Sequence, residues 1–136
     1  VTDSSQHRVG GGIDRNNRRV VMARCLLLVV LPVIGWLATF SPWQPFMQFS
    51  DKLRHIAAFL VLTGLIWQSW PAVPVHRRLL LMVALGLGLE LVQTLTPTRE
   101  FHLDDLAASV MGAVVFEALR ESYRRIHTLL ISPPSR

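Results

Sequence analysis

Four short segments of this chain carry side chains suited to chemistry. The first is Asp51, Lys52, Arg54 and His55, in which Asp51 and His55, four positions apart, share a face if the segment is helical. Glu90 and Gln93, three apart, share a second helix face, and Arg99 follows them closely. Asp105, Ser109 and Gly112 form an i, i+4, i+7 stripe. Lys52, Arg54 and Arg99 are the groups to engage a phosphate, Arg99 through its bidentate fork. His55 is the first choice as general base or nucleophile, with Asp51 to orient it and Asp105 as a further acid–base group. Glu90, Gln93 and Ser109 would complete the lining of the same pocket.

Other chemistries lack a signature. His55, His102, Asp104 and Asp105 are metal-ligand types, but no spacing among them demands an ion, so neither metal nor cofactor is expected. There is no Walker loop, dinucleotide fingerprint or HExxH pair. The single cysteine, Cys25, excludes an internal disulfide framework and a multi-cysteine zinc site.

The elements that position these residues are apolar runs. Of the 136 residues 51% are hydrophobic and only 17% charged, where soluble domains run near a quarter charged. Cys25 to Phe40 is uncharged, and with its neighbours it reaches the length of about 20 residues that a bilayer-spanning helix needs. Further apolar runs cover Ile56 to Trp70, Leu79 to Leu95 and, more weakly, Phe101 to Leu119. Pro42, Pro45, Pro71, Pro74 and Pro97 punctuate the connections. The expected fold is all-α: an integral membrane four-helix antiparallel bundle. Residues 1–22 form a flexible basic tail, 23–121 the four-span domain and 122–136 a basic C-terminal tail. No small-x-small cleavage site follows the first run, so it reads as an uncleaved signal anchor.

The net charge of +5 would suit nucleic acid until the charges are sorted by loop. Arg8, Arg15, Arg18, Arg19 and Arg24 precede the first run, Arg77 and Arg78 lie between the second and third, and Arg120, Arg124, Arg125 and Arg136 follow the fourth. Short basic loops stay cytoplasmic, which puts both termini inside and makes the basic excess a mark of orientation. No basic patch interleaved with aromatics points to nucleic acid. The start of the second span, the end of the third and the start of the fourth then meet at the outer leaflet, where the polar residues concentrate. Intramembrane charges face inward and pair, so these three helix ends imply one shared pocket, or a polar cluster that only fixes helix packing. Ala84 with Gly88 and Ala108 with Gly112 fit the small-xxx-small pattern of close helix approach. Glu117, at the far end of the fourth span, reads as a surface or interfacial carboxylate paired with Arg120 or Arg124. Trp36, Trp43, Trp67 and Trp70 sit toward the ends of the first two spans, as interfacial anchors or packing residues.

Asp51-Lys52-x-x-His55-x-x-x-Phe59-x-x-Leu62, Glu90-x-x-Gln93, Arg99, Asp105 and Gly112 together resemble the VanZ-like family of small bacterial membrane proteins. The resemblance covers the second to fourth spans, about half the chain. Two positions depart from it: Ser109 stands where the family usually has Asn, and His102 where an acid often follows the arginine. The family is named for an accessory determinant of glycopeptide resistance. The resemblance therefore implies a cell-envelope role in the bacterial cytoplasmic membrane without naming a reaction. Membrane lipids or lipid-linked envelope precursors are the expected partners, a homo-oligomer is open, and so is whether any bond is made or broken. A noncatalytic membrane accessory or scaffold is the competing expectation.

Overall fold

The computed structural model describes residues 10–39, 51–95 and 102–131, with side chains at 15–37, 51–95 and 102–131. Among the described residues all regular structure is helical: α1 Gly10–Thr39, α2 Asp51–Ser69, α3 Val75–Gln93 and α4 Leu103–Ile131.

The outer helices are longer than the apolar runs that seed them. α1 takes in residues 10–22 and α4 takes in residues 122–131, both assigned to tails by the sequence alone. Hydrophobic period was the criterion there, but arginine is a good helix former and needs no apolar face to extend an existing helix. Arg15–Leu37 within α1 is long and apolar enough to cross a membrane, and only 6% of that window is buried. No other described helix meets the same measure. Lys52 and Arg54 interrupt α2, Arg77, Arg78 and Glu90 interrupt α3, and Asp104, Asp105 and Glu117 interrupt α4. Pro32 lies inside α1 with its ring exposed and removes one backbone donor from the helix.

Residue pairs along the helices fix their directions. His55 meets Ser109, and further on Gly64 and Trp67 meet Phe116, so α2 and α4 run parallel. Glu90 meets His102, Gly86 meets Leu106 and Arg78 meets Glu117, so α3 runs antiparallel to α4. Arg24 near the middle of α1 reaches the carbonyl of Ser69 at the end of α2. The parallel pair α2–α4 makes the most extensive interface, α1 lies mainly against α2, and α3 mainly against α4.

Gly112 is what lets α2 and α4 approach. A Cβ there would lie 2.2 Å from the backbone oxygen of Ile56, a clash with main chain that no rotamer change relieves. Ala108, also buried, sits one turn earlier. The small residues of α3 act differently: nothing stands within 4 Å of a Cβ on Gly88, and Ala84 is exposed. Gly86 is the close-approach glycine of that helix, 3.0 Å from a Leu106 methyl.

Phe59, Leu62 and Ile66 of α2, Met82 of α3 and Ala113 of α4 form the apolar core, with Leu27, Val30 and Ile34 of α1 packed on it. α3 buries charged residues and exposes apolar ones. Its buried residues are Arg78, Met82, Gly86, Glu90 and Gln93, while Leu80, Leu81, Val83, Leu87, Leu91 and Val92 are exposed. The stripe facing the other helices thus mixes Arg78, Glu90 and Gln93 with Met82 and the half-buried Leu79, Leu85 and Leu89, while the outward face is apolar.

Candidate functional site

Two polar clusters lie at opposite ends of the helices. The first joins the start of α2, the end of α3 and the start of α4, as expected from the sequence. His55 is buried, and its Nδ1 lies 3.1 Å from Ser109 Oγ. The Ser109 hydroxyl itself donates to the backbone oxygen of Asp105, one turn back, at 2.9 Å. A hydroxyl has a single hydrogen, so Ser109 accepts from His55, and Nδ1 carries the imidazole proton. That leaves Nε2 as the nitrogen with a lone pair.

Glu90 is 2% exposed. Its Oε2 accepts the His102 backbone N–H at 3.3 Å, which ties the end of α3 to the start of α4. Its Oε1 is buried with no hydrogen-bond partner among the described residues. One ligand atom each from His55, Glu90 and Asp105 lies within 4.8 Å of the others. Gln93 is buried one turn beyond Glu90 on the same face. His55, Glu90, Asp105 and Ser109 therefore come together, with Gln93 buried on the Glu90 face of α3.

Of the cations expected to share this pocket, Lys52 and Arg54 are paired with acids near its exposed edge. Lys52 Nζ pairs with Asp104 Oδ2 at 2.8 Å, both side chains well exposed. Arg54 Nη2 pairs with Asp51 Oδ1 at 2.6 Å. Asp51 is thus turned to the next turn of its own helix, and His55 takes its hydrogen bond from α4 instead. An exposed i, i+3 pair of this kind contributes little stability. Arg99 lies outside the described residues. His102 and Asp104 are exposed, so the four-residue ligand set drawn from sequence gives way to one that includes Glu90.

The second cluster was misplaced by sequence reasoning. Glu117 is buried, not superficial, and it accepts from Arg78 Nε at 2.7 Å and Arg78 Nη2 at 3.1 Å. Arg120 adds the expected i, i+3 contact at 3.1 Å. Arg78 is 1% exposed and also donates to the Val73 carbonyl. Its charge had been assigned to a cytoplasmic loop; the signal that would have found it is the four-residue step Arg78, Met82, Gly86, Glu90 along one face of an otherwise apolar helix. Arg120 stacks over Trp67 at 5.2 Å and Arg24 over Trp70 at 5.4 Å, so these two indoles act as packing partners for arginine. Trp36 is exposed on α1, and Trp43 lies outside the described residues.

No family model, curated protein or solved structure matches this chain. The functional reading therefore rests on the residues and their geometry.

Proposed function

We propose that the chain is a multi-pass protein of the bacterial cytoplasmic membrane, VanZ-like in character, with both termini cytoplasmic. In this reading the His55–Glu90–Asp105 end opens toward the outer leaflet and binds the headgroup of an anionic lipid or lipid-linked envelope precursor. The supporting observation is α3, which turns Arg78, Glu90 and Gln93 inward while Leu80, Leu81, Leu87 and Leu91 face outward. A buried ionisable stripe under an apolar exterior suits a lipid surround and is costly anywhere else. α2 and α4, too charged to qualify as spans one by one, are then held across the bilayer by polar faces that meet inside the bundle.

Lys52, Arg54 and Arg99 are the phosphate ligands of this reading. Lys52 is exposed and Asp104 is its present partner, so a headgroup phosphate replaces one oxyanion with another at little cost. The acidic floor then faces the headgroup's hydroxyl or amine groups. His55 supplies the acid–base group if a phosphoryl bond is cleaved.

A noncatalytic scaffold is the second reading, favoured by the closed Arg78–Glu117–Arg120 cluster, which is polar, buried and satisfied. Glu90 Oε1, buried without a hydrogen-bond partner among the described residues, leans toward the pocket reading, because buried oxygens are usually paired. The experiment is complementation of envelope-antibiotic sensitivity in a strain deleted for the gene, with protein abundance measured in parallel. The pocket reading expects His55→Ala and Asp105→Asn to lose complementation at normal abundance. Complementation that falls only in step with abundance supports the scaffold and rejects the pocket.

A further inference from the structure

We infer that His55, Glu90 and Asp105 form a binding site for one divalent transition ion of the zinc or manganese class. The inference stands apart from the lipid reading, since it rests on the donor set alone. The three residues come from three helices and their ligand atoms already lie within 4.8 Å of one another. Donors on an ion at about 2.1 Å sit about 3.4 Å apart in a tetrahedral shell, so the three side chains close in by rotation to hold it.

Three features of the cluster select a cation over a passive hydrogen-bond network. First, Glu90 Oε1 is fully buried without a hydrogen-bond partner among the described residues, on a side chain whose other oxygen is fixed by the His102 N–H. A buried carboxylate oxygen left bare costs free energy that a metal ligand recovers. Second, the hydrogen bond to Ser109 puts the His55 proton on Nδ1 and leaves Nε2 as a ligand. Ligating histidines in metal sites donate their other nitrogen in this way to an outer-shell group. Third, two carboxylates and an imidazole are a donor set whose ligating forms one divalent ion neutralises in a low-dielectric interior.

The donor chemistry narrows the ion. An imidazole among the donors disfavours magnesium and calcium, which take oxygen shells. Two carboxylates with no thiolate disfavour copper(I) and cluster iron. Three protein ligands leave at least one coordination position open to water or a second ligand, as in catalytic rather than structural zinc sites.

The test uses the full chain in detergent, stripped with chelator, equilibrated with buffered Zn²⁺ or Mn²⁺ and desalted, with metal counted by plasma mass spectrometry. About one ion per chain is expected for the intact protein. Glu90→Gln and Asp105→Asn should each weaken metal affinity about tenfold or more, and Ser109→Ala about 10- to 100-fold through loss of the outer-shell bond. Helicity and melting temperature are followed on the same samples, so that metal loss is read only from folded variants; Asp105→Asn, at a half-buried position, serves where Glu90→Gln does not fold. Less than about a tenth of an ion per chain, or unchanged retention in a folded variant, overturns the site. The latter result would assign the ion to histidines elsewhere. Millimolar Mg²⁺ displacing the bound ion would overturn the choice of ion class.

Discussion

The Arg78 guanidinium grips Glu117 across the α3–α4 interface with two donors, Nε to one carboxylate oxygen at 2.7 Å and Nη2 to the other at 3.1 Å. Both side chains are almost fully withdrawn from the surface. Removing one partner strands a buried charge, and Glu117→Ala is expected to cost about 3–5 kcal/mol. Arg78→Met combined with Glu117→Met should recover most of that loss, since no charge is left unpaired. Thermal melts in detergent check both, and a single variant as stable as the parent would contradict the buried pair.

Gly112 and Gly88 make opposite predictions from the same substitution. Gly112→Ala drives a Cβ into the Ile56 carbonyl and should destabilise by about 1–3 kcal/mol through forced separation of α2 and α4. Gly88→Ala meets open space and should be neutral or stabilising by up to about 1 kcal/mol from helix propensity. The same melts decide, and equal effects at the two sites would refute the packing assigned to α4.

Much of this arrangement was legible in the sequence. The four helices, the α2–α3 turn at Pro71 and Pro74, and the gathering of His55, Glu90, Asp105 and Ser109 all follow from periodicity and polar spacing. The pairings were not. Asp51 reaches Arg54 and His55 reaches Ser109, because spacing says which residues share a face but not which neighbour another helix presents. Arg78 and Glu117 were hidden for a different reason: a charge beside a helix end reads as a loop residue until the opposing helix is known. The reach of α4 through Arg124 and Arg125 lacks a hydrophobic period because that segment buries nothing; helix propensity extends it, with ion pairs along its own surface.

Glu121 gives a pH prediction. Hydrogen bonds from Arg124 and then Arg125 pull its carboxyl from 4.5 to about 2. A carboxyl lowered in the folded state contributes stability that is present above about pH 4.5 and is lost as pH falls through about 2. Helicity of the α4 end, followed by amide exchange, should hold at pH 3 and decline toward pH 2. Glu121→Gln should remove that step, and 1 M salt should blunt it because the group is exposed. Fraying already complete at pH 4 would contradict the ion pairs.

Membrane orientation is tested by single cysteines in a Cys25→Ser background, because Cys25 is exposed and reactive to the same reagent. Thr94 and Arg77 are exposed at opposite ends of α3. A membrane-impermeant maleimide added to spheroplasts should label Thr94→Cys and spare Arg77→Cys until the cells are lysed. Labelling of both before lysis would mean that α3 does not cross the bilayer, and labelling of Arg77→Cys alone would invert the topology.

Headgroup binding at the His55–Glu90–Asp105 end is measured by native mass spectrometry of the protein released from nanodiscs holding phosphatidylglycerol and phosphatidylcholine in equal amounts. The intact chain should retain the anionic lipid selectively. Lys52→Ala with Arg99→Ala should cut that retention about 30-fold, at about 1 kcal/mol for each cation removed, while Arg124→Ala with Arg125→Ala at the other end should leave it unchanged. Equal retention of the two lipids, or retention that follows Arg124 and Arg125 instead, would contradict the pocket.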